Sequence, residues 1–138
     1  MKKAALVLIA ALGLSAVAHA QTSPASNEET LSSGVRILHL TKGTGAHPTA
    51  DNEVTVNYRG TLLATGAEFD SSYKRGRPAS FSLRGVVPCW TIAVQAMAPG
   101  GKARVLCPAA TAYGARGAGG VIPPNADLVF DIELLAVK

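Results

Sequence analysis

Several kinds of residue are scarce in this chain, and each scarcity argues against a class of chemistry. Its 138 residues include 2 Cys and 3 His, whereas a structural zinc site takes about four such ligands. Cys89 and Cys107 lack the CxxC redox spacing, and His39 and His47 lie far upstream of them without recognisable ligand spacing. No metal and no cofactor is therefore expected. Charge is sparse as well: charged residues make up 16% of the chain and the formal net charge is +4. So small and scattered an excess does not favour nucleic acid or anionic lipid as the main partner. Only one long apolar run exists, Ala4 to Ala18, and its 15 residues fall short of the roughly 20 that span a bilayer.

That run reads as a leader rather than as structure. Met1-Lys2-Lys3 is a short basic start, and Ala18-His19-Ala20 has the small-x-small pattern of a signal-peptidase site. Residues 1–20 are expected to be a signal peptide, and no Cys stands at the new N-terminus to take a lipid. The expectation is therefore an exported chain, periplasmic or secreted, with no stable membrane anchoring. Lys2 and Lys3 leave with the leader, so the net charge falls from +4 to +2. In an exported chain an even cysteine pair favours a disulfide over two free thiols.

What remains has the length of one domain. Residues 21–30 are polar and read as a flexible lead-in, with the domain over 31–138. Hydrophobic residues make up 48%, with 14 Gly and 8 Pro, a globular composition punctuated by turn formers. Strand signals start at Val35 to Leu40. The clearest is Glu53 to Leu62, where Val54, Val56 and Tyr58 alternate with Thr55, Asn57 and Arg59. Phe81-Ser82-Leu83, Lys102 to Cys107 and Asp127 to Val137 read as further strands. One helix is expected from near Pro88 to just before Pro99-Gly100-Gly101, because Trp90, Ala93, Val94 and Met97 share a face. A short helix with an apolar stripe among several strands buries that stripe across a sheet, so the expected class is α+β.

A series of local strings then appears in order: Val54-Thr55-Val56-Asn57-Tyr58-Arg59-Gly60, Gly66-Ala67-Glu68-Phe69-Asp70-Ser71-Ser72, Phe81-Ser82-Leu83, and Val86-Val87-Pro88-Cys89-Trp90. They are followed by Ala112-Tyr113-Gly114, Ile122-Pro123-Pro124-Asn125-Ala126, and Leu128-Val129-Phe130-Asp131-Ile132-Glu133-Leu134. In this order and spacing the chain resembles the FKBP family of peptidyl-prolyl cis–trans isomerases over residues 31 to 138. The resemblance implies an antiparallel half-open sheet wrapped around one short helix, with an apolar pocket for a proline ring. Matched string by string, the pocket would be lined by Tyr58, Phe69, Val86, Val87, Trp90, Tyr113, Ile122 and Phe130. Trp90 would form the floor, and Asp70 and Arg75 would sit at the rim with Asp70 close to Tyr58. The implied partners are proline-containing polypeptides, and macrolides such as rapamycin.

Such chemistry needs no nucleophile. Rotation about an X-Pro bond has a barrier of about 20 kcal/mol, and the planar amide owes its stiffness to a charge-separated resonance form. A water-poor pocket disfavours that form and so favours the twisted transition state. Among the polar anchors, the Tyr113 hydroxyl is expected to hold a substrate carbonyl, with the Ile122 N–H as the second candidate. Asp70 is expected to orient Tyr58 and the rim, since no proton transfer is required. Tyr58, Asp70, Trp90, Tyr113 and Phe130 form the expected catalytic set. Phe69, Arg75, Val86, Val87 and Ile122 are the expected substrate contacts.

Other positions read as structural. Phe81 is expected in the core rather than the pocket, and Arg84 and Arg104 in solvent. The stretch Gly114 to Gly120 lacks the Lys-Ser/Thr ending of a phosphate loop and reads as a flexible rim loop. Cys89 stands where the family commonly has Gly; at a helix start it could bridge to Cys107 at a strand end, pinning helix to sheet. Ala79 and Ala118-Gly119 also depart from some members of the family, which leaves macrolide affinity and the preferred residue before proline open. A chaperone or peptide-binding module with little isomerase activity, and a docking domain for one partner, are the competing readings. A monomer is expected.

Overall fold

A computed structural model describes residues 27–138. The expected signal peptide and residues 21–26 of the lead-in lie outside the described residues. Alternation of apolar and polar side chains builds most of the architecture. The strands are β1 (Glu28–Thr30), β2 (Arg36–Thr41), β3 (Glu53–Leu62), β4 (Glu68–Ser71), β5 (Ala79–Ser82), β6 (Lys102–Cys107) and β7 (Leu128–Val137). In β3 the side chains of Val54, Val56 and Tyr58 are buried while their neighbours are not. In β7 the same period buries Leu128, Phe130, Ile132 and Leu134.

These strands form one antiparallel sheet in the order β1-β2-β6-β7-β3-β4. β3 is longer than its neighbours on one side and shares that edge between two partners. Its first half pairs with β5, Val54 opposite Phe81, and its second half with β4, Gly60 opposite Asp70. The path between β4 and β5 is a helical turn, α1 (Ser72–Arg75). Ser71 caps it, its hydroxyl accepting from the Tyr73 N–H at 3.1 Å. Gly76 closes it in the left-handed region at φ 77°.

The expected helix is α2 (Pro88–Val94), with Pro88 at its start and Val87 extended before it. It is shorter than its apolar stripe. After Val94 the chain tightens into i→i−3 bonds, Ala96 N–H to Ala93 O and Met97 N–H to Val94 O, both 3.0 Å, and Met97 is buried from that turn rather than from the helix. Trp90, Ala93 and Val94 share one core with Val54, Val56, Val105, Ile132 and Leu134 from the sheet. Each fully buried aliphatic side chain of this kind contributes about 1.5–3 kcal/mol. The α+β expectation of an open antiparallel sheet around a short helix is what the chain forms. The lead-in, by contrast, gives way at Glu28 to a strand paired with β2, Glu29 opposite Ile37, so ordered structure starts before residue 31.

Candidate functional site

At one end of the sheet, β3, β4, β5, β7 and α2 leave an apolar cavity of about 450 Å³. Tyr58 comes from β3, Phe69 and Asp70 from β4, Phe81 from β5 and Phe130 from β7. Gly85, Val86 and Val87 come from the turn before α2, Trp90 from its first turn, and Tyr113 from the segment after β6. Trp90 is 4% exposed and meets Tyr58, Phe81 and Phe130 edge to face, with ring centroids 5.2, 5.4 and 5.4 Å away. Phe69 and Phe130 form another perpendicular pair at 5.6 Å. Edge-to-face contacts of this kind lock ring orientation as well as adding burial.

Gly60 allows the two phenylalanines to close in. A Cβ there would lie 2.6 Å from Phe69 Cζ and 2.9 Å from Phe130 Cε1. Absence of a side chain at this strand position is thus what lets both rings form one wall of the cavity.

The polar side of the cavity is a three-residue cluster. Tyr58 donates its hydroxyl hydrogen to Asp70 Oδ2, while Arg75 donates to Asp70 Oδ1 at 2.8 Å and to the Tyr58 oxygen at 3.0 Å. The guanidinium also lies 5.7 Å from the Tyr58 ring centroid. Burial pushes the Tyr58 hydroxyl pKa up, and its hydrogen bond to Asp70 pushes the same way. Burial would also raise Asp70, but the hydrogen bonds from Tyr58, Arg75 and the Ser71 N–H outweigh it and hold the carboxyl below its ordinary range. Behind the cluster, Ser72 is fully buried; its hydroxyl accepts from the Tyr58 N–H and donates to Asn57 Oδ1, both at 2.9 Å. β3 is thereby tied to α1 at the residue that carries the phenol.

Of the ten residues expected in the site, the structure brings eight to the cavity wall: Tyr58, Phe69, Asp70, Val86, Val87, Trp90, Tyr113 and Phe130. Arg75 stands just outside it, on the Tyr58–Asp70 pair. Ile122 is not part of the cavity wall, and its N–H is spent on the Ala118 carbonyl at 3.0 Å. The cause is a small hairpin. Ala118 returns its own N–H to the Ile122 carbonyl at 2.9 Å, and Gly117 donates to the Tyr113 carbonyl at 3.1 Å. Hydrogen bonds therefore lace the loop that composition marked as flexible.

Three lining groups were not expected from sequence: Gly85, the Phe81 ring and the Val87 N–H. Phe81 lines the cavity instead of lying in the general core, because its register opposite Val54 turns the ring onto Tyr58 at 5.9 Å and onto Trp90. The Val87 N–H, at the uncapped start of α2, donates to no acceptor among the described residues, and Val87 lines the cavity. A free N–H before a Pro-initiated helix is the signal that would have found it. Tyr113 is 39% exposed, and its hydroxyl likewise has no protein partner among the described residues. Ala79 packs against the core without reaching the cavity. Cys89 and Cys107 are joined by a disulfide. Arg84 pairs with Asp51, and Arg104 with Asp131 at 2.7 Å, both at the surface. Among the described residues no group of His, Cys, Asp and Glu fits a metal ion, and no helix is long and apolar enough to cross a membrane.

Known proteins share this fold. Residues 44–135 match the model of FKBP-type peptidyl-prolyl cis-trans isomerases. The chain is 46% identical over 110 residues to the peptidyl-prolyl cis-trans isomerase Mip of Coxiella burnetii, covering 80% of this chain and 47% of that protein. It is 47% identical over 110 residues to the isomerase FkpA of Escherichia coli, covering 80% of this chain and 40% of that one. The chain thus spans about half the length, or less, of the curated relatives it matches. A crystal structure of a peptidyl-prolyl cis-trans isomerase from Pseudomonas syringae superposes with TM-score 0.76 at 42% identity, covering 83% of each chain. The crystal structure of Escherichia coli FkpA superposes with TM-score 0.77 at 45% identity, over 83% of this chain and 53% of that one. On the family match and these identities together, the chain belongs to the FKBP-type peptidyl-prolyl cis-trans isomerase family.

Proposed function

We propose that this chain accelerates cis–trans rotation about X-Pro bonds in exported polypeptides, binding the twisted prolyl amide in the cavity floored by Trp90. The observation that carries the reading is the pairing of an apolar, aromatic-walled cavity with two unspent hydrogen-bond donors, the Tyr113 hydroxyl and the Val87 N–H. The proline ring enters against Trp90, Phe69 and Phe130. The donors hold the carbonyls of the bound segment while the X-Pro bond turns. Loss of amide resonance makes the twisted state less charge-separated than the planar one, so dry aromatic walls stabilise it selectively. Every ~1.4 kcal/mol of that selectivity gives about tenfold in rate.

Asp70 is assigned to orientation. Its carboxylate is occupied by Tyr58 and Arg75, and rotation about the amide transfers no proton. The cluster keeps the Tyr58 ring upright as a wall and stiffens the rim. Export fits the Met1 to Ala20 leader pattern and the presence of a disulfide, and we place the working chain in the periplasm or outside the cell as a monomer. Macrolides such as rapamycin are assigned to the same cavity. A rapamycin titration followed by the fluorescence of the sole Trp tests this: saturable change in Trp90 emission, with matching loss of isomerase activity, is the expected result. Prolyl-peptide binding without any acceleration would move the chain to the chaperone or peptide-binding reading.

A further inference from the structure

The disulfide between Cys89 and Cys107 sits where two walls of the cavity meet. Cys89 is the second residue of α2, directly before Trp90 and two residues after Val87. Cys107 ends β6 and pairs in register with Leu128 on β7, two residues from Phe130. From Cys107 the chain runs through Pro108 and a 3-10 turn at Ala109–Thr111 to Tyr113. β6 itself contributes no residue to the cavity. Its last residue nonetheless starts the segment that delivers Tyr113.

Neither wall is a self-sustaining local element. α2 has 7 residues and no side-chain cap at its N-terminus, and a helix shorter than about 12 residues is not self-sustaining. Its first turn is tied to the preceding chain by Thr91, whose hydroxyl donates to the Leu83 carbonyl at 2.7 Å. The covalent tie to the sheet is Cys89. On the other side, the Tyr113 segment turns on short-range bonds, Thr111 N–H to Pro108 O at 2.8 Å and Ala112 N–H to Ala109 O at 2.9 Å. It is tied to the chain before β7 by Ala109 N–H to Asp127 Oδ1 at 2.9 Å and Asn125 N–H to Gly114 O at 2.8 Å. Both cysteines are 0% exposed, so the bond is a fixture of the folded state and closed to rapid exchange with solvent thiols.

We propose that the Cys89–Cys107 disulfide is a positioning element for the cavity, holding Val87 and Trp90 in register with Tyr113, so that the oxidised chain is the competent isomerase and the dithiol chain is folded but poorly active. The proposal rests on the isomerase reading. Its chemistry is a two-electron exchange: the two thiols lose two protons and two electrons to a disulfide-bearing oxidant, which is itself reduced to two thiols. Because the sulfurs are buried, the exchange belongs to the time of folding, and the chain acquires its activity only where such an oxidant is present.

The test compares the oxidised full chain with Cys89→Ala/Cys107→Ala and with Cys89→Ala/Cys107→Val, the second keeping more of the buried volume. Each is assayed well below its own melting temperature, with far-UV circular dichroism to confirm the fold. The expected result is a fall in kcat/KM of about tenfold to hundredfold together with altered Trp90 emission, since that indole adjoins the missing bond. A lower melting temperature with kcat/KM within about twofold and unchanged Trp90 emission would overturn the proposal, leaving the bond a stabiliser only. If neither variant folds, the native sequence unfolded, reduced with dithiothreitol and refolded with reductant present decides. A refolded dithiol chain with native circular dichroism and lost activity supports positioning; one with kcat/KM within about twofold of the oxidised chain, or one that does not fold at all, overturns it. An oxidised chain that is itself inactive refutes the isomerase reading instead, and the Trp90 emission of the variants still tests the positioning.

Discussion

Tyr58 donates its hydroxyl hydrogen to the Asp70 carboxylate, and Arg75 grips both oxygen-bearing groups from the rim. The pair links β3 to β4 at the edge of the cavity, where a wall residue has to stay upright while the substrate turns. Removing the carboxylate frees the phenol and leaves the Arg75 guanidinium without its anion. Asp70→Ala is therefore expected to lower kcat/KM about tenfold while the chain stays folded. Unchanged kcat/KM in a tetrapeptide assay would remove Asp70 from the machinery.

Tyr113 offers a cleaner separation of function from stability. Its hydroxyl has no protein partner among the described residues and its side chain is 39% exposed. Tyr113→Phe should leave the melting temperature within about 1 °C, since no internal bond is lost. A hydrogen bond to substrate contributes about 0.5–1.5 kcal/mol, so kcat/KM is expected to fall about threefold to tenfold. A large drop in stability would mean that the hydroxyl has a structural role instead.

The fold and the cluster also fix the pH response. Asp70 is held below its ordinary range, so its favourable contribution is present above about pH 3.9 and is lost as pH falls through the lower folded value. Tyr58 is raised, by burial first and then by its bond to Asp70. Its contribution is fully present below about pH 10 and is lost as pH rises through the folded value. A profile of kcat/KM should therefore be flat from about pH 5 to 9. An inflection near neutrality, tracking a group in the cavity, would contradict this assignment.

Gly60 tests the wall from behind. Gly60→Ala places a methyl against the rings of Phe69 and Phe130, which have to move toward the cavity. Overpacking of this sort costs about 1–3 kcal/mol, and kcat/KM should fall with the melting temperature. Ring displacement is readable as shifted aromatic resonances of Phe69 and Phe130. Unperturbed resonances would show that β3 yields instead.

Much of this arrangement was legible in side-chain periodicity. Val54, Val56 and Tyr58 announce β3, and the spacing of Trp90, Ala93 and Val94 announces α2, because burial on one face leaves a period in the sequence. The resemblance then placed eight of the ten expected residues on the cavity. What escaped depends on backbone hydrogen bonds, which leave little mark on side chains. Ile122 was misread because its N–H is consumed by Ala118. Phe81 was misread because its face is set by register against Val54. β1 escaped because Glu28 to Thr30 bury nothing and are held by pairing with β2 and by the contact of Arg36 with Glu28. α2 ends early because the apolar stripe continues into a tighter turn that serves the same core.

The decisive experiment is the cis-to-trans rate of an X-Pro tetrapeptide as a function of the concentration of purified, oxidised chain. The expected rate rises linearly with enzyme, far above the uncatalysed process with its time of tens of seconds, and is suppressed when rapamycin fills the cavity. No acceleration from chain shown to be folded would contradict the assignment of the Trp90 cavity to selection of the twisted prolyl amide.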